Sequence, residues 1–216
     1  MTTPRATGLV LAAVLALAGP AFAERPATLG EHLVYDNAAG HLRSIGVNVP
    51  TFRVAVDDGS VCGPVAVACS YPGIVYLSPD GAVDALRYYR SARHTVRWRR
   101  ALALDRCADV CLTSAQVALH ELVHQARFVV HPLEGWVGSD RPFEEGLAEA
   151  VAVDQLSPMI FRASGLRGAM SPGYVYAEWV DRVWSATGGE TGAGQRRARL
   201  DAVATPSIMF SIEATP

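Results

Sequence analysis

The sequence lacks a strong excess of charge of either sign, internal repeats, low-complexity linkers and any long apolar run beyond its first residues. Its 216 residues carry 19 basic and 21 acidic side chains, so the formal net charge is only -2. Such a balance makes the chain a poor candidate for binding nucleic acid. Because no later apolar run reaches about 20 residues, stable membrane insertion is not expected. The absence of repeats and linkers favours one compact domain.

The first 23 residues resemble a secretory signal peptide. Arg5 supplies a positive charge, residues 8–18 form an apolar stretch too short to span a bilayer comfortably, and residues 21–23 place two alanines around a phenylalanine. We therefore expect cleavage after Ala23 and export of residues 24–216 as a single domain, to the periplasm or the extracellular space. An uncleaved membrane anchor is the alternative interpretation.

Four cysteines follow this segment, an even number that is typical of disulfides in exported proteins: Cys62, Cys69, Cys107 and Cys111. Three connectivities are possible. We expect local pairing, within the first two and within the last two, because each bridge would close a short loop. A cysteine metal site is the alternative, but it would suit a reducing compartment that export excludes. The residue directly after the expected cleavage point is Glu24 and not a cysteine, so nothing indicates a lipid-modified N-terminus.

The patterns of apolar residues predict an α+β fold, with a small N-terminal β-sheet packed on a helical core. Three segments have the alternating or clustered apolar residues that are typical of strands: 52–56, 65–68 and 73–77. Segments with helical character are 27–45, 79–104 (as one helix or two), 113–130, 142–156 and 174–185. Thr113 and Gln116 have the spacing of a capping box that would begin the third of these helices. Residues 203–216 are predicted to form a terminal strand or tail.

The most informative pattern is His120-Glu121-Leu122-Val123-His124, an H-E-x-x-H motif in a helical segment. Positions four apart lie on nearly the same face of a helix, so both imidazoles can bind one zinc ion. Glu121 lies one residue further round, where its carboxylate can hold and deprotonate a water. Catalytic zinc usually has three protein ligands, so we expect a third ligand elsewhere in the chain.

Two positions are candidates for the third ligand. His131 shares the helix face of His124 but lies about 10 Å further along the axis, so we expect it at the helix end or behind the ligands. Glu145 follows a loop rich in Gly and Pro, which allows a second helix to fold back and deliver a carboxylate. Glu149 lies one turn later on the same face and can accept the N–H of a zinc-bound histidine. Ordinary surface charge is the alternative, but Gly146 indicates close helix packing.

H-E-L-V-H followed by E-E-G-L-A-E resembles the gluzincin zinc metallopeptidases, the thermolysin-like clan, over residues 116–150. The resemblance implies a zincin-like metalloprotease core with one zinc ion, acting on a peptide or protein substrate. The roles that it implies are zinc binding by His120, His124 and Glu145, general-base catalysis by Glu121 and support of a ligand by Glu149. The G-A-M-E-N segment of zinc aminopeptidases is absent, so exopeptidase activity is not implied.

Further features of the site and two other functions remain open at this stage. Tyr174 and Tyr176 follow the third ligand and are candidates for stabilising an oxyanion, with ordinary core aromatics as the alternative. By the same resemblance, residues 65–77 would supply a sheet edge for the substrate, held by a bridge between Cys62 and Cys69. The other functions are a non-catalytic exported zinc-binding or adhesion module and a zinc amidase acting on cell-wall material. Nothing in the sequence indicates the oligomeric state.

Overall fold

The computed structural model describes residues 24–93, 109–133, 140–164, 176–189 and 192–205. Within these ranges the elements in chain order are β1 (Arg25–Pro26), α1 (Leu29–Ser44), β2 (Arg53–Val56), β3 (Ala68–Tyr71), β4 (Ile74–Leu77), α2 (Pro79–Ala92), α3 (Asp109–Val130), α4 (Asp140–Ser164), α5 (Ala177–Ala186) and α6 (Ala193–Val203). The predicted α+β fold, with a small sheet near the N-terminus packed on helices, is confirmed. None of the helices in the described part of the chain is long and apolar enough to cross a membrane.

The four strands form one mixed sheet in the order β1-β2-β4-β3. β2 and β4 run parallel, whereas β1 is antiparallel to β2 and β3 is antiparallel to β4. The β3–β4 hairpin turns tightly at Gly73, whose φ of +78° is accessible to glycine at little cost. This order leaves β3 at one edge of the sheet, next to α3.

Helix α1 begins at a complete capping box. The Thr28 hydroxyl accepts the Glu31 backbone N–H, while the Glu31 carboxylate accepts the Thr28 N–H at 2.5 Å. Both oxygens of the buried Glu31 carboxylate also accept hydrogen bonds from the Arg25 guanidinium, at 3.0 and 2.8 Å. These contacts fix the start of α1 against β1, and α1 then covers the sheet and α3 with a buried apolar face.

The long helix α3 lies at the centre of the molecule. It contacts α1, α2, α4, α6 and β3, and its side chains at Leu119, Leu122 and Val123 have no exposed surface. Helix α4 packs along it with a buried face that includes Leu147 and Val151. Because α3 is covered on so many sides, polar residues on its face toward α4 are held in a nearly water-free environment.

Four boundaries differ from the sequence predictions. The strand predicted at 65–68 is β3, three residues later, because the loop closed by the Cys62–Cys69 disulfide occupies the residues up to 67 and Cys69 itself lies in the strand. Helix α3 begins at Asp109, so the capping box predicted at Thr113 is wrong; that residue lies within the helix. The helix predicted to end near residue 156 continues to Ser164, and α5 spans Ala177–Ala186.

Helix α6 was not predicted at all. Its sequence, AGQRRARLDAV, has too few apolar residues to show a helical repeat, and its central buried residue is Arg199. The strand or tail predicted for residues 203–216 is therefore wrong at Val203, which ends the helix. Residues 206–216 lie outside the described part of the chain.

Candidate metal centre

Two helices bring the predicted ligands together. His120 and His124 project from α3, and Glu145 projects from the first turns of α4. The two imidazole Nε2 atoms are 3.0 Å apart, and Glu145 Oε2 lies 3.2 Å from Nε2 of His120 and 3.5 Å from Nε2 of His124. The ligand atoms of all three residues lie within 4.8 Å of one another. This group could hold a metal ion.

The two imidazoles are buried and Glu145 is partly buried, and the group is electrostatically suited to a cation. Burial alone would lower the pKa of His120, but its contacts with the carboxylates of Glu145 and Glu149 raise that pKa well above the usual value. Burial alone would raise the pKa of Glu145, but the two neighbouring imidazoles hold it far below the usual value. The site therefore keeps its carboxylate charged and attracts positive charge, whether a proton or a metal ion.

Glu149 orients the His120 imidazole by contacting Nδ1, the ring nitrogen that faces away from His124 and Glu145. Its Oε2 atom lies 3.0 Å from Nδ1 of His120, and the Gln116 amide donates a hydrogen bond to its other oxygen. A carboxylate at this position accepts the Nδ1 proton of His120, so that Nε2 is the nitrogen directed at the shared point, where a metal ion would take the place of a proton. The role of Gln116 was missed in the sequence, although it lies one helical turn before His120 on the same face.

Glu121 presents a buried carboxylate with spare accepting capacity. Its residue is 6% exposed, and its Oε2 atom accepts no hydrogen bond from any of the residues that the structure describes. Burial raises the pKa of this carboxyl; His120 and His124 lower it, Glu145 raises it and Ser70 lowers it, and the net shift is upward. A carboxylate with a raised pKa is a stronger proton acceptor, which is the property that a general base needs.

The sheet edge is attached directly to α3. The Ser70 hydroxyl in β3 donates to the backbone oxygen of Glu121 at 2.9 Å. The fully buried Gln125 amide accepts the Gly73 N–H at 2.9 Å and donates to the carbonyl oxygens of Tyr71 and Ile74 at 2.8 and 3.0 Å. These bonds hold the β3–β4 hairpin beside the H-E-x-x-H segment. No local pattern predicts the contacts of Gln125, because their partners lie in a turn that is more than 50 residues away.

The predicted bridge between Cys62 and Cys69 is present, with a Cα–Cα distance of 5.5 Å. It closes the loop that leads into β3, and Val65 at the tip of this loop is 94% exposed. The second predicted bridge, between Cys107 and Cys111, lies outside the described side chains.

The remaining candidate residues fall at the edges of the site or outside the described residues. His131 directly follows the last residue of α3, close to the expected helix-end position, and contacts Glu144 at 2.9 Å; it lies outside the group that could hold a metal ion. Tyr176 is half-buried directly before α5, while Tyr174 and the expected signal peptide at residues 1–23 lie outside the described residues. A Cβ at Gly146 would lie 2.7 Å from the Trp179 backbone, so this glycine admits α5 and not α3.

No protein-family model, curated protein or solved structure matches this chain. A function for the chain therefore has to be inferred from the geometry and chemistry of the site itself.

Proposed function

We propose that this protein is an exported zinc-dependent metallopeptidase of the gluzincin type, hydrolysing bonds in a peptide or protein substrate. The observation that carries the proposal is the convergence of His120, His124 and Glu145, next to the buried carboxylate of Glu121. The disulfide between Cys62 and Cys69 supports export, because such bonds persist in oxidising compartments.

The residues present suit zinc better than other common metals. Two imidazole nitrogens and one carboxylate oxygen form a donor set found in catalytic zinc sites, whereas magnesium and calcium prefer oxygen donors alone. Ligands about 2.0–2.1 Å from a tetrahedral zinc lie roughly 3.3 Å from one another. The three donor separations of 3.0, 3.2 and 3.5 Å bracket that value.

Glu121 performs the proton transfers in the proposed reaction. When bound, zinc supplies a Lewis acid that polarises the substrate carbonyl and makes water acidic enough to lose a proton near neutral pH. The Glu121 carboxylate accepts that proton as the water attacks the carbonyl carbon. The same carboxyl then donates it to the amide nitrogen as the carbon–nitrogen bond breaks. Its raised pKa suits both steps, since the group must be a good acceptor first and a donor afterwards.

The edge strand β3 offers a place for the substrate backbone. Within the described part of the chain β3 pairs only with β4, so the N–H and C=O groups on its other side can accept an added strand. Ser70 fixes the strand to the backbone of Glu121, and the bridge at Cys69 fixes its beginning. An extended peptide paired with β3 would therefore be held at a constant distance from the general base.

The test is a peptide-library digest with purified residues 24–216, with and without a chelator. We expect cleavage that the chelator abolishes and zinc restores, and at least 100-fold slower cleavage by Glu121→Gln with its zinc content unchanged. Glu31→Gln is the matched control, because it removes another buried carboxylate in a different helix and should keep wild-type cleavage.

Other outcomes separate the alternatives. Cell-wall material cleaved in a parallel assay while peptides stay intact would identify an amidase. Stable zinc binding without turnover of either substrate would indicate a binding module and overturn the peptidase proposal.

A further inference from the structure

A buried ion pair lies directly beside the candidate metal centre and takes no part in the chemistry described above. Arg127 in α3 and Glu144 in α4 are 0% and 1% exposed. The pair is bidentate, with Arg127 Nε 2.7 Å from one carboxylate oxygen of Glu144 and Nη2 2.6 Å from the other. Each partner is three residues or fewer from a candidate ligand, since Arg127 follows His124 and Glu144 precedes Glu145.

The guanidinium is also fixed from its other side. Arg127 Nη1 donates to the carbonyl oxygens of Ala202, Val203 and Thr205, at 3.0, 3.3 and 2.6 Å. These carbonyls lie at the C-terminal end of α6, where a helix has unsatisfied acceptors and its dipole favours positive charge. Arg127 therefore cannot follow a movement of Glu144 without losing the contacts that it makes with α6.

The polar contacts between α3 and α4 form an ordered series. His120 contacts Glu149 and Glu145, His124 contacts Glu145, and Arg127 contacts Glu144. Residue numbers rise along α3 as they fall along α4, so the two helices run antiparallel through the site. A slide of one turn, about 5.4 Å, would break every contact in the series.

We propose that Arg127 and Glu144 are positioning residues for the metal centre. Their two parallel hydrogen bonds set the register and the rotation of α4 against α3, and so place the neighbouring Glu145 carboxylate against both imidazoles. The inference builds on the metal site of the proposed function. A planar fork suits this role because two parallel bonds fix direction as well as distance, whereas a single contact fixes distance alone.

The chain contains a close control for this role. Arg199 in α6 and Asp154 in α4 form a second bidentate pair, with distances of 2.5 and 3.0 Å, and Arg199 is also fully buried. Arg199 likewise donates to other groups, the Thr187 hydroxyl and the Gly189 carbonyl oxygen. Asp154 lies nine residues beyond Glu145, more than two turns along α4. Loss of either fork should disturb the packing of α4, but only Arg127 acts next to the ligands.

The experiment compares Arg127→Lys, Glu144→Gln and Arg199→Lys in residues 24–216. Lysine keeps the charge and removes the fork, and glutamine removes one acceptor oxygen. The zinc dissociation constant is measured by competition with a chromophoric chelator, at a temperature where circular dichroism shows each variant folded. The visible spectrum of each cobalt-substituted protein reports the geometry around the metal.

We expect both variants of the pair to bind zinc at least tenfold more weakly than wild type and to show an altered cobalt spectrum. Arg199→Lys should keep the wild-type affinity and spectrum while losing thermal stability. Wild-type zinc affinity in Arg127→Lys and Glu144→Gln would overturn the inference. A loss of affinity in Arg199→Lys as large as theirs would also overturn it. A wild-type protein that binds zinc but cleaves no peptide would overturn the peptidase proposal alone. A wild-type protein that binds no zinc would overturn both.

Discussion

At the scale of single residues, two carboxylates near the same imidazoles have opposite pKa shifts. Burial raises the pKa of Glu121, and the imidazoles reduce that shift without reversing it. Burial also acts on Glu145, but its direct contacts with His120 and His124 lower its pKa far more. Opposite shifts suit the opposite tasks proposed for them, a ligand that stays charged at Glu145 and a group that exchanges a proton at Glu121. The sequence had already predicted different roles for the two residues, and their surroundings supply a physical reason for the difference.

Glu149 gives a prediction at the same scale. Replacing it with glutamine should weaken zinc binding about tenfold, because a neutral amide holds the Nδ1 proton of His120 less well and makes Nε2 a poorer ligand. The measurement is the zinc dissociation constant, with Gln116→Glu as a second variant that repels the same carboxylate. Unchanged affinity in Glu149→Gln would mean that the 3.0 Å contact with His120 does not influence the metal.

At the scale of elements, the sequence predicted helices and strands well where an apolar repeat was present and poorly where polar contacts decided the outcome. Helix α1 and strands β2 and β4 lie within three residues of their predicted bounds. The predicted start of α3 was wrong because Gln116 has the spacing of a capping residue, but its side chain bonds to Glu149 on another helix. A local pattern cannot reveal a partner that is 33 residues away.

The attachment of the β3–β4 hairpin to α3 is testable through Gln125. Gln125→Ala leaves three backbone groups of the hairpin without their partner, which should destabilise the fold by about 2–3 kcal/mol. Because β3 is the proposed substrate strand, KM for peptides should also rise, with a smaller effect on kcat. Denaturant unfolding and steady-state kinetics measure the two effects.

The control for this prediction is Gln155→Ala. Gln155 bonds to His41 at 3.1 Å, its one side-chain hydrogen bond among the described residues, and lies far from the hairpin in sequence. This change should cost less than about 1 kcal/mol and leave KM unchanged. A KM for Gln125→Ala equal to that of the control would argue against β3 as the substrate strand.

At the scale of the whole molecule, α6 joins α3 and α4 through two buried arginines. Arg127 donates hydrogen bonds to carbonyl oxygens at the C-terminal end of α6, and Arg199 within α6 pairs with Asp154 in α4. Breaking a buried pair by removing one partner costs about 3–5 kcal/mol, although replacing both partners with apolar residues often costs nothing. These pairs are therefore better understood as devices that fix one arrangement of the three helices than as sources of net stability.

Metal binding should stabilise the entire domain, because the ligands come from two helices that separate on unfolding. Zinc at 100 times its dissociation constant should add about 2.7 kcal/mol, raising Tm by roughly 5–10 °C for a domain of this size. Thermal unfolding with zinc, with magnesium and with a chelator measures the effect. Glu145→Gln should abolish most of the shift, and a shift of equal size in that variant would place the metal elsewhere.

The sequence by itself determined the chemistry available: an H-E-x-x-H helix, an acidic segment beyond a loop, a locally bridged cysteine pair and an α+β pattern of apolar residues. Each of these depends on neighbours within a few turns, which is the range over which helical and strand periodicity carries information. Only the tertiary structure decided that Glu145 meets both imidazoles, that Gln116 and Glu149 support His120, and that α6 closes over Arg127. Those contacts join residues from 21 to 78 positions apart, and they form only after the core has packed.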